Sequence, residues 1–182
     1  MLSGKIGAMN LTSTPITPTG MNRRLSFQVL LDGKLVGNVV WFQGRAEYLP
    51  WLEIDYYPWV REVGVEVQFF SLVHDFLPPG GRLFVTYVRD PATLRMLYRG
   101  VHPLITPLGF SMLQAGFTWF KDWYFPEGGN EGTAKLQGNR PLNLADRARQ
   151  LSDRLQELEG EYDGEEVRDW IRAKLRELQA SR

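Results

Sequence analysis

Cysteine is absent from the 182 residues, which removes both a disulfide framework and any thiolate metal site from consideration. Histidine is scarce: His74 and His102 are the two, and two imidazoles without a thiolate are a poor basis for zinc, so no metal is expected. An excess of charge is missing too. The 21 basic and 21 acidic side chains cancel, so no net field would hold the chain on nucleic acid or an anionic membrane, and neither is expected as a partner. Nowhere do about 18 apolar residues follow one another, and the stretch after Met1 lacks an unbroken apolar core of the secretory kind. A reducing, cytoplasmic setting is the expectation. Lysine is also sparse, with 5 against 16 arginines, which together with the missing cysteine hints at a GC-rich or thermophilic source.

What is present is enough for one domain with a small appendage, since a chain this long can bury roughly 70% of its unfolded surface. Aromatic residues make up 13%, which supplies large buried areas or flat ligand-binding walls. The organisation reads as a loose N-terminal segment over 1–22, an α/β domain over 23–140 and a helical hairpin over 141–182.

In the first segment, Pro15 and Pro18 among Thr, Ser and Gly favour extended chain, either a loose tail or an irregular edge strand. Leu25 to Leu31 is β-prone, Asp32-Gly33 is a two-residue hairpin turn, and Leu35 to Phe42 returns. Trp51 to Tyr57 alternates as a third strand, placing Trp51, Glu53, Asp55 and Tyr57 on one face and Leu52, Ile54 and Tyr56 on the other. From Val63 to Leu77 the residues Val63, Val67, Phe70, His74 and Leu77 recur at helical spacing, and Pro78-Pro79-Gly80-Gly81 ends that helix. His74, on its apolar face, reads as a core histidine.

Leu83 to Val88 reads as a buried strand, and Asp90-Pro91 as the cap and first turn of a helix running to Tyr98. A short helix over Leu108 to Ala115 ends at Gly116, an aromatic strand over Phe117 to Phe125 follows, and the glycine-rich stretch Pro126 to Lys135 reads as a surface loop. The last residues change character. Leu144, Ala148, Leu151, Leu155 and Leu158, then Val167, Ile171, Leu175 and Leu178, repeat every three or four positions as two amphipathic helices. Asp163 and Glu166 suit the cap of the second. The hairpin seam is expected to pack on the domain or on a second copy, giving a homodimer.

The order of elements is an antiparallel meander, a helix, a central strand, a helix and a closing strand, a mixed and mostly antiparallel sheet with flanking helices. It resembles the GNAT superfamily of acyl-CoA N-acyltransferases. In that family a helix opening with Gln or Arg, two residues, Gly, one residue, then Gly or Ala holds the cofactor pyrophosphate on its backbone N–H groups. Arg61-Glu62-Val63-Gly64-Val65-Glu66 stands in the corresponding place. Arg61 and Gly64 match, with Val63 and Val65 beside them, while Glu66 occupies the position of a small residue and brings a carboxylate to an anion site.

The resemblance implies acetyl-CoA or another acyl-CoA as cofactor and an unknown amine, small-molecule or protein, as acceptor. Glu53 and Asp55, two apart on one strand, are its candidate bases. Tyr98 is similar to the family's tyrosine that protonates the thiolate leaving group, and Gly116-Phe117 to its closing pair. A non-catalytic descendant of the fold, acting as a binding or assembly module, is the alternative, and Glu66 separates the two.

The block from Gly116 to Gly128 resembles a signature of an uncharacterised prokaryotic protein family, which implies no activity. Trp119, Lys121 and Trp123 share one face of its strand, a wall able to receive a cation or planar ring, with Glu127 (and Glu131) placed to steer a cationic substrate. A third reading rests on Leu77 to Val85 and Ala115 to Phe117, similar to the last strands of S-adenosylmethionine methyltransferases, although no glycine-rich loop precedes them.

Overall fold

The computed structural model describes residues 3–6, 9–16, 24–42, 50–127, 130–143, 147–161 and 164–180. Eight strands form one sheet in the order β1-β2-β3-β4-β5-β6-β8-β7. They are β1 (Ser3–Ile6), β2 (Met9–Ile16), β3 (Arg24–Leu31), β4 (Lys34–Phe42), β5 (Trp51–Tyr56), β6 (Arg82–Val85), β7 (Trp119–Glu127) and β8 (Asn130–Asn139). Neighbours are antiparallel throughout except for β5 and β6, which run parallel with Trp51 opposite Arg82 and Ile54 opposite Val85. The mixed, mostly antiparallel sheet with flanking helices is therefore as the sequence order implies.

The β3–β4 turn lies at Asp32-Gly33, both with positive φ, the geometry that matches strand twist in a two-residue hairpin. In β5 the alternation predicts burial correctly: Leu52 and Ile54 are each 1% exposed, and Tyr56 is buried with them. Tyr56 meets Phe69 and Phe70 at ring-centroid distances of 5.7 and 5.6 Å. Gly37 sits opposite Tyr56, and a Cβ there would lie 2.2 Å from the Asp55 carbonyl oxygen, so only glycine lets β4 approach this end of β5.

Four helices lie between strands β5 and β7. They are α1 (Trp59–Glu62), α2 (Glu66–Phe76), α3 (Pro91–Tyr98) and α4 (Pro107–Ala115), with a 3-10 turn at Pro103–Ile105. Asp90 caps α3, its carboxylate accepting from Thr93 N–H at 2.8 Å, and Pro91 follows at the first helical position, as its sequence implies. Gly116 closes α4 with φ 124°. His74 is 3% exposed, its ring edge-on to Phe117.

Three expectations are refined by the structure. Of the two forms read for the first segment, a loose tail or an irregular edge strand, it takes the strand: β1 is an edge of the sheet and β2 lies between β1 and β3, with Thr12 paired to Ser3 and Leu30. The glycine-rich stretch after Pro126 is not simply a loop: β8 begins at Asn130 and inserts between β6 and β7. Pairing with β7, which sets Thr133 opposite Phe125 and Ala134 opposite Tyr124, outweighs the weak strand propensity of glycine there, and β6 joins from Leu136 onward.

The helix expected from Val63 begins only at Glu66, and a separate short helix, α1, precedes it. Gly64 N–H bonds Arg61 C=O at 2.9 Å and Val65 N–H reaches back to Val60 C=O at 3.2 Å. With Gly64 at φ 74° this is a Schellman ending to α1. Val63 falls in the turn, 50% exposed, instead of on the apolar face.

The two C-terminal helices, α5 (Arg147–Glu161) and α6 (Glu165–Ala180), form the expected hairpin. Leu155, Leu158 and Ile171 are fully buried within the single chain, and Trp170 meets Phe110 of α4 edge-on at 5.6 Å. Asp163 and the side chains of Leu144, Ala148, Leu151, Glu166 and Leu178 lie outside the described residues.

Candidate functional site

Parallel neighbours leave a crevice beyond their carboxyl ends, because each chain departs into its own helix. β5 and β6 are the one parallel pair among the described strands, and a pocket of about 180 Å³ opens at that place. Tyr56 at the end of β5, Arg61 and Glu62 of α1, Glu66 of α2, and Arg89 and Asp90 before α3 line it.

Its centre is an ion cluster. Arg61 Nε lies 3.0 Å from Glu66 Oε2, Nη2 donates to Oε1 at 3.3 Å, and Nη1 lies 2.7 Å from Asp90 Oδ2. The Schellman turn makes this possible, since it turns α2 back so that a residue of its first turn faces a residue of α1. The Glu66 side chain is 5% exposed, and both of its oxygens face the Arg61 guanidinium.

Burial pushes the Glu66 carboxyl above its ordinary value, although the Arg61 charge and the Ser111 hydroxyl pull the other way. Burial would also raise Asp90, but its bonds from the Thr93 hydroxyl and Arg61 outweigh that and hold it low. Burial and the Glu66 charge push Tyr56 well up. For Arg61 burial works against the charge, and the two carboxylates overcome it and raise its pKa. Thr93 links the cluster to the next helix: its hydroxyl bonds Asp90 and accepts from Leu108 N–H at 3.1 Å.

Of the predicted pyrophosphate residues, Arg61 lines the pocket, Gly64 stands in the exposed turn, and Val65 is the N-cap residue of α2, without a side-chain cap. A Cβ on Gly64 would meet nothing within 4 Å. Its positive φ, not close approach of a neighbour, is what requires glycine. Glu53 and Asp55 share the opposite face of β5 from Tyr56, and both are ion-paired. Asp55 takes Arg89 in a two-point grip at 3.1 and 3.0 Å, and this bond raises the Arg89 pKa. Glu53 accepts from Lys135 at 3.5 Å.

Tyr98 is the last residue of α3 and 70% exposed. The pocket is at the other end of that helix, roughly 10 Å away at about 1.5 Å per residue. Trp119 and Lys121 lie on β7, separated from β5 by β6 and β8, hence roughly 14 Å off at about 4.8 Å per strand. Side chains of Trp123 and Glu127 lie outside the described residues. Trp119 instead borders a separate open cleft of about 520 Å³ with His102, Arg154 and Glu157. Burial, then the Arg154 charge, lowers the His102 pKa there.

Sequence reasoning missed Tyr56 and Asp90 as pocket residues. Asp90 announced itself as a helix cap, and its second role depends on a residue nearly thirty positions earlier. Among the described residues there is no group of three or more potential metal ligands, and no described helix is long and apolar enough to cross a membrane.

No functionally curated protein matches the chain significantly. Among solved structures it is similar to the crystal structure of a protein of unknown function from Aquifex aeolicus VF5, at 25% identity and a TM-score of 0.70, covering 97% of this chain and 93% of that one. Residues 11–161 match a family described as protein of unknown function (DUF1122), and the chain belongs to that family.

Proposed function

We propose that this protein is a binding module built on an acyltransferase-like sheet, with its ligand site in the pocket beyond β5 and β6, and that it does not use acyl-CoA. The observation that carries this reading is the sharing of the Arg61 guanidinium between Glu66 and Asp90. A pyrophosphate at the start of α2 would find its cation already taken and two carboxylates facing it. Like charges within a few ångströms in a half-dry pocket cost several kcal/mol at an effective dielectric constant of about 20.

A second reading keeps a specific observation in its favour: the 11-residue α2 opens at Val65 with no side-chain cap, which leaves a helix N-terminus for an anion. In this reading the protein is an acyl-CoA-dependent N-acyltransferase. Asp55 or Glu53 takes the ammonium proton, Tyr98 protonates the thiolate, and the amine acceptor is unknown. Each base must first leave its ion pair, and Tyr98 must approach from the far end of α3. The methyltransferase reading gains nothing from a sheet with one parallel pair.

Thermal unfolding with and without millimolar acetyl-CoA, coenzyme A and S-adenosylmethionine tests the choice, because a ligand of the native state raises the midpoint. An unchanged midpoint is expected. A rise of several degrees with the CoA species, lost in Arg61→Ala, reverses the order of the two readings.

A further inference from the structure

We propose that the face of the sheet turned away from α2 and α4 is a platform for single-stranded RNA, separate from the pocket beyond β5 and β6. Pairing across the strands sets Phe42, Trp51, Arg82, Asn139 and Trp119 in one line over β4, β5, β6, β8 and β7, and residues directly opposite one another share a face. Two residues along, a second line holds Glu53, Phe84, Gln137 and Lys121. The alternate residues Leu52, Ile54, Leu83, Val85 and Leu136 are buried. A Cβ on Gly138 among them would strike Met112 of α4 at 2.6 Å, and Tyr56 on the same side meets Phe69 of α2. These helices therefore cover that side, whereas Gln137 alone in the two lines of the other face is buried.

The balance of charge over the whole chain, which argues against nucleic acid, does not hold on this face. Among its described side chains Arg82, Lys121 and Lys135, with Arg89 at the rim, stand against Glu53 and Asp55. Those two carboxylates are already met by Lys135 at 3.5 Å and by Arg89 at 3.0 Å. The surplus is positive, as a phosphate backbone requires. A stable protein interface has a charge-poor centre, whereas Arg82, Glu53 and Gln137 stand on strands in the interior of this sheet.

Aromatic rings stand at both ends of the first line. Trp119 is 49% exposed, and Phe42 and Trp51 stack at 4.8 Å with 7° between their planes, a stack that a base can lengthen. Three strand steps separate β5 from β7, roughly 14 Å, so bases of one strand reach both ends with Arg82 and Asn139 between them. Arg82 lies 5.9 Å from the Trp51 ring centroid, which keeps a cation for phosphate beside a ring for a base. The bases of a duplex stack on one another and offer no face to such a surface, so a single strand is selected. Gln137 Nε2 donates to Asn139 Oδ1 at 2.7 Å. That bond fixes which end of the Asn139 amide accepts and turns its N–H pair into donors for a ribose 2′-hydroxyl, which DNA lacks.

The test is fluorescence anisotropy of a labelled uridine oligomer of about ten nucleotides, titrated with the full chain. A Kd of about 1–100 μM is expected, weakening about tenfold as salt rises from about 50 to about 200 mM. A thymidine DNA oligomer of the same length and a GC-rich RNA duplex should each bind at least threefold more weakly. Trp119→Ala should lose about fivefold in affinity by removing a stacking ring, and Lys121→Glu about tenfold with a shallower salt dependence, both with the wild-type circular dichroism. Should one of these variants fail to fold, the other decides. No binding of the uridine oligomer, equal binding of the DNA or the duplex, or unchanged affinity in a folded variant overturns the proposal. Sedimentation showing a dimer that Trp119→Ala dissociates gives the face to a second copy and overturns it as well.

Discussion

Arg61 Nε stands 3.0 Å from Glu66 Oε2, five residues along the chain and across the turn that separates α1 from α2. In an unbroken helix, positions three and four apart share a face, so this pairing exists because Gly64 breaks the helix between the two residues. The same break leaves Arg61 within 2.7 Å of Asp90. An arginine that resembles a phosphate ligand in sequence is, in the fold, the bridge between two carboxylates.

Removing the bridge should cost far more than removing one of its ends. Arg61→Ala leaves Glu66 and Asp90 facing each other in a half-buried site and is expected to destabilise by about 2–4 kcal/mol. Glu66→Gln keeps an acceptor for Arg61 and removes a buried negative charge, so it should change stability by less than about 1 kcal/mol. Urea denaturation of both variants checks the order; a Glu66→Gln loss equal to that of Arg61→Ala contradicts it.

The two carboxyls make opposite contributions to the pH dependence. Asp90, held below its ordinary value in the fold, stabilises above the unfolded-state value, and this contribution is lost as pH falls through the lowered one. Glu66, raised in the fold, keeps its proton while the unfolded chain loses its own, so stability falls as pH rises from about 4.3, the ordinary glutamate value, to the raised one. The unfolding midpoint should therefore decline across that window in the wild type and decline less in Glu66→Gln.

Arg140, next after β8, closes the far end of α2. Its Nη1 donates to the carbonyls of His74, at 2.9 Å, and of Leu77, while its backbone pairs with Gly80 and Gly81. Helix C-terminal carbonyls lack partners inside the helix and favour a cation. Arg140→Ala should cost about 1–2 kcal/mol, or about 3–6 °C in a chain of this size, and should speed hydrogen exchange in the last turn of α2 before the rest of that helix.

The hairpin is held by its own domain. Trp170 packs on Phe110, Lys174 Nζ lies 4.6 Å from the centroid of the same ring, and Ile171 is fully buried. Ile171→Asp buries an unpaired charge and should open α5 and α6 to limited proteolysis, with an unfolding midpoint that does not depend on protein concentration. A concentration-dependent midpoint in the wild type would show that a second copy shares the seam.

The local chemistry of the chain is legible wherever one residue type answers one local demand. Asp32-Gly33 supplies the positive φ of a hairpin, Asp90-Pro91 caps and opens α3, and the alternation in β5 sorts Leu52, Ile54 and Tyr56 to the core. The amphipathic period of the last two helices is equally plain. Less legible are β8, whose glycine-rich start argues for a loop until β7 is present to pair with it, and the break at Gly64, where the apolar period runs on through the turn.

The sequence by itself determined the class of fold, the positions of most turns and caps, and which faces are apolar, because these follow from dihedral preference and burial over a few neighbouring residues. Only the tertiary structure decided the site. It joined Arg61, Glu66 and Asp90, and it left Tyr98 and Trp119 elsewhere. A charge cluster depends on distances between elements far apart in the chain, and neither periodicity nor spacing encodes those distances.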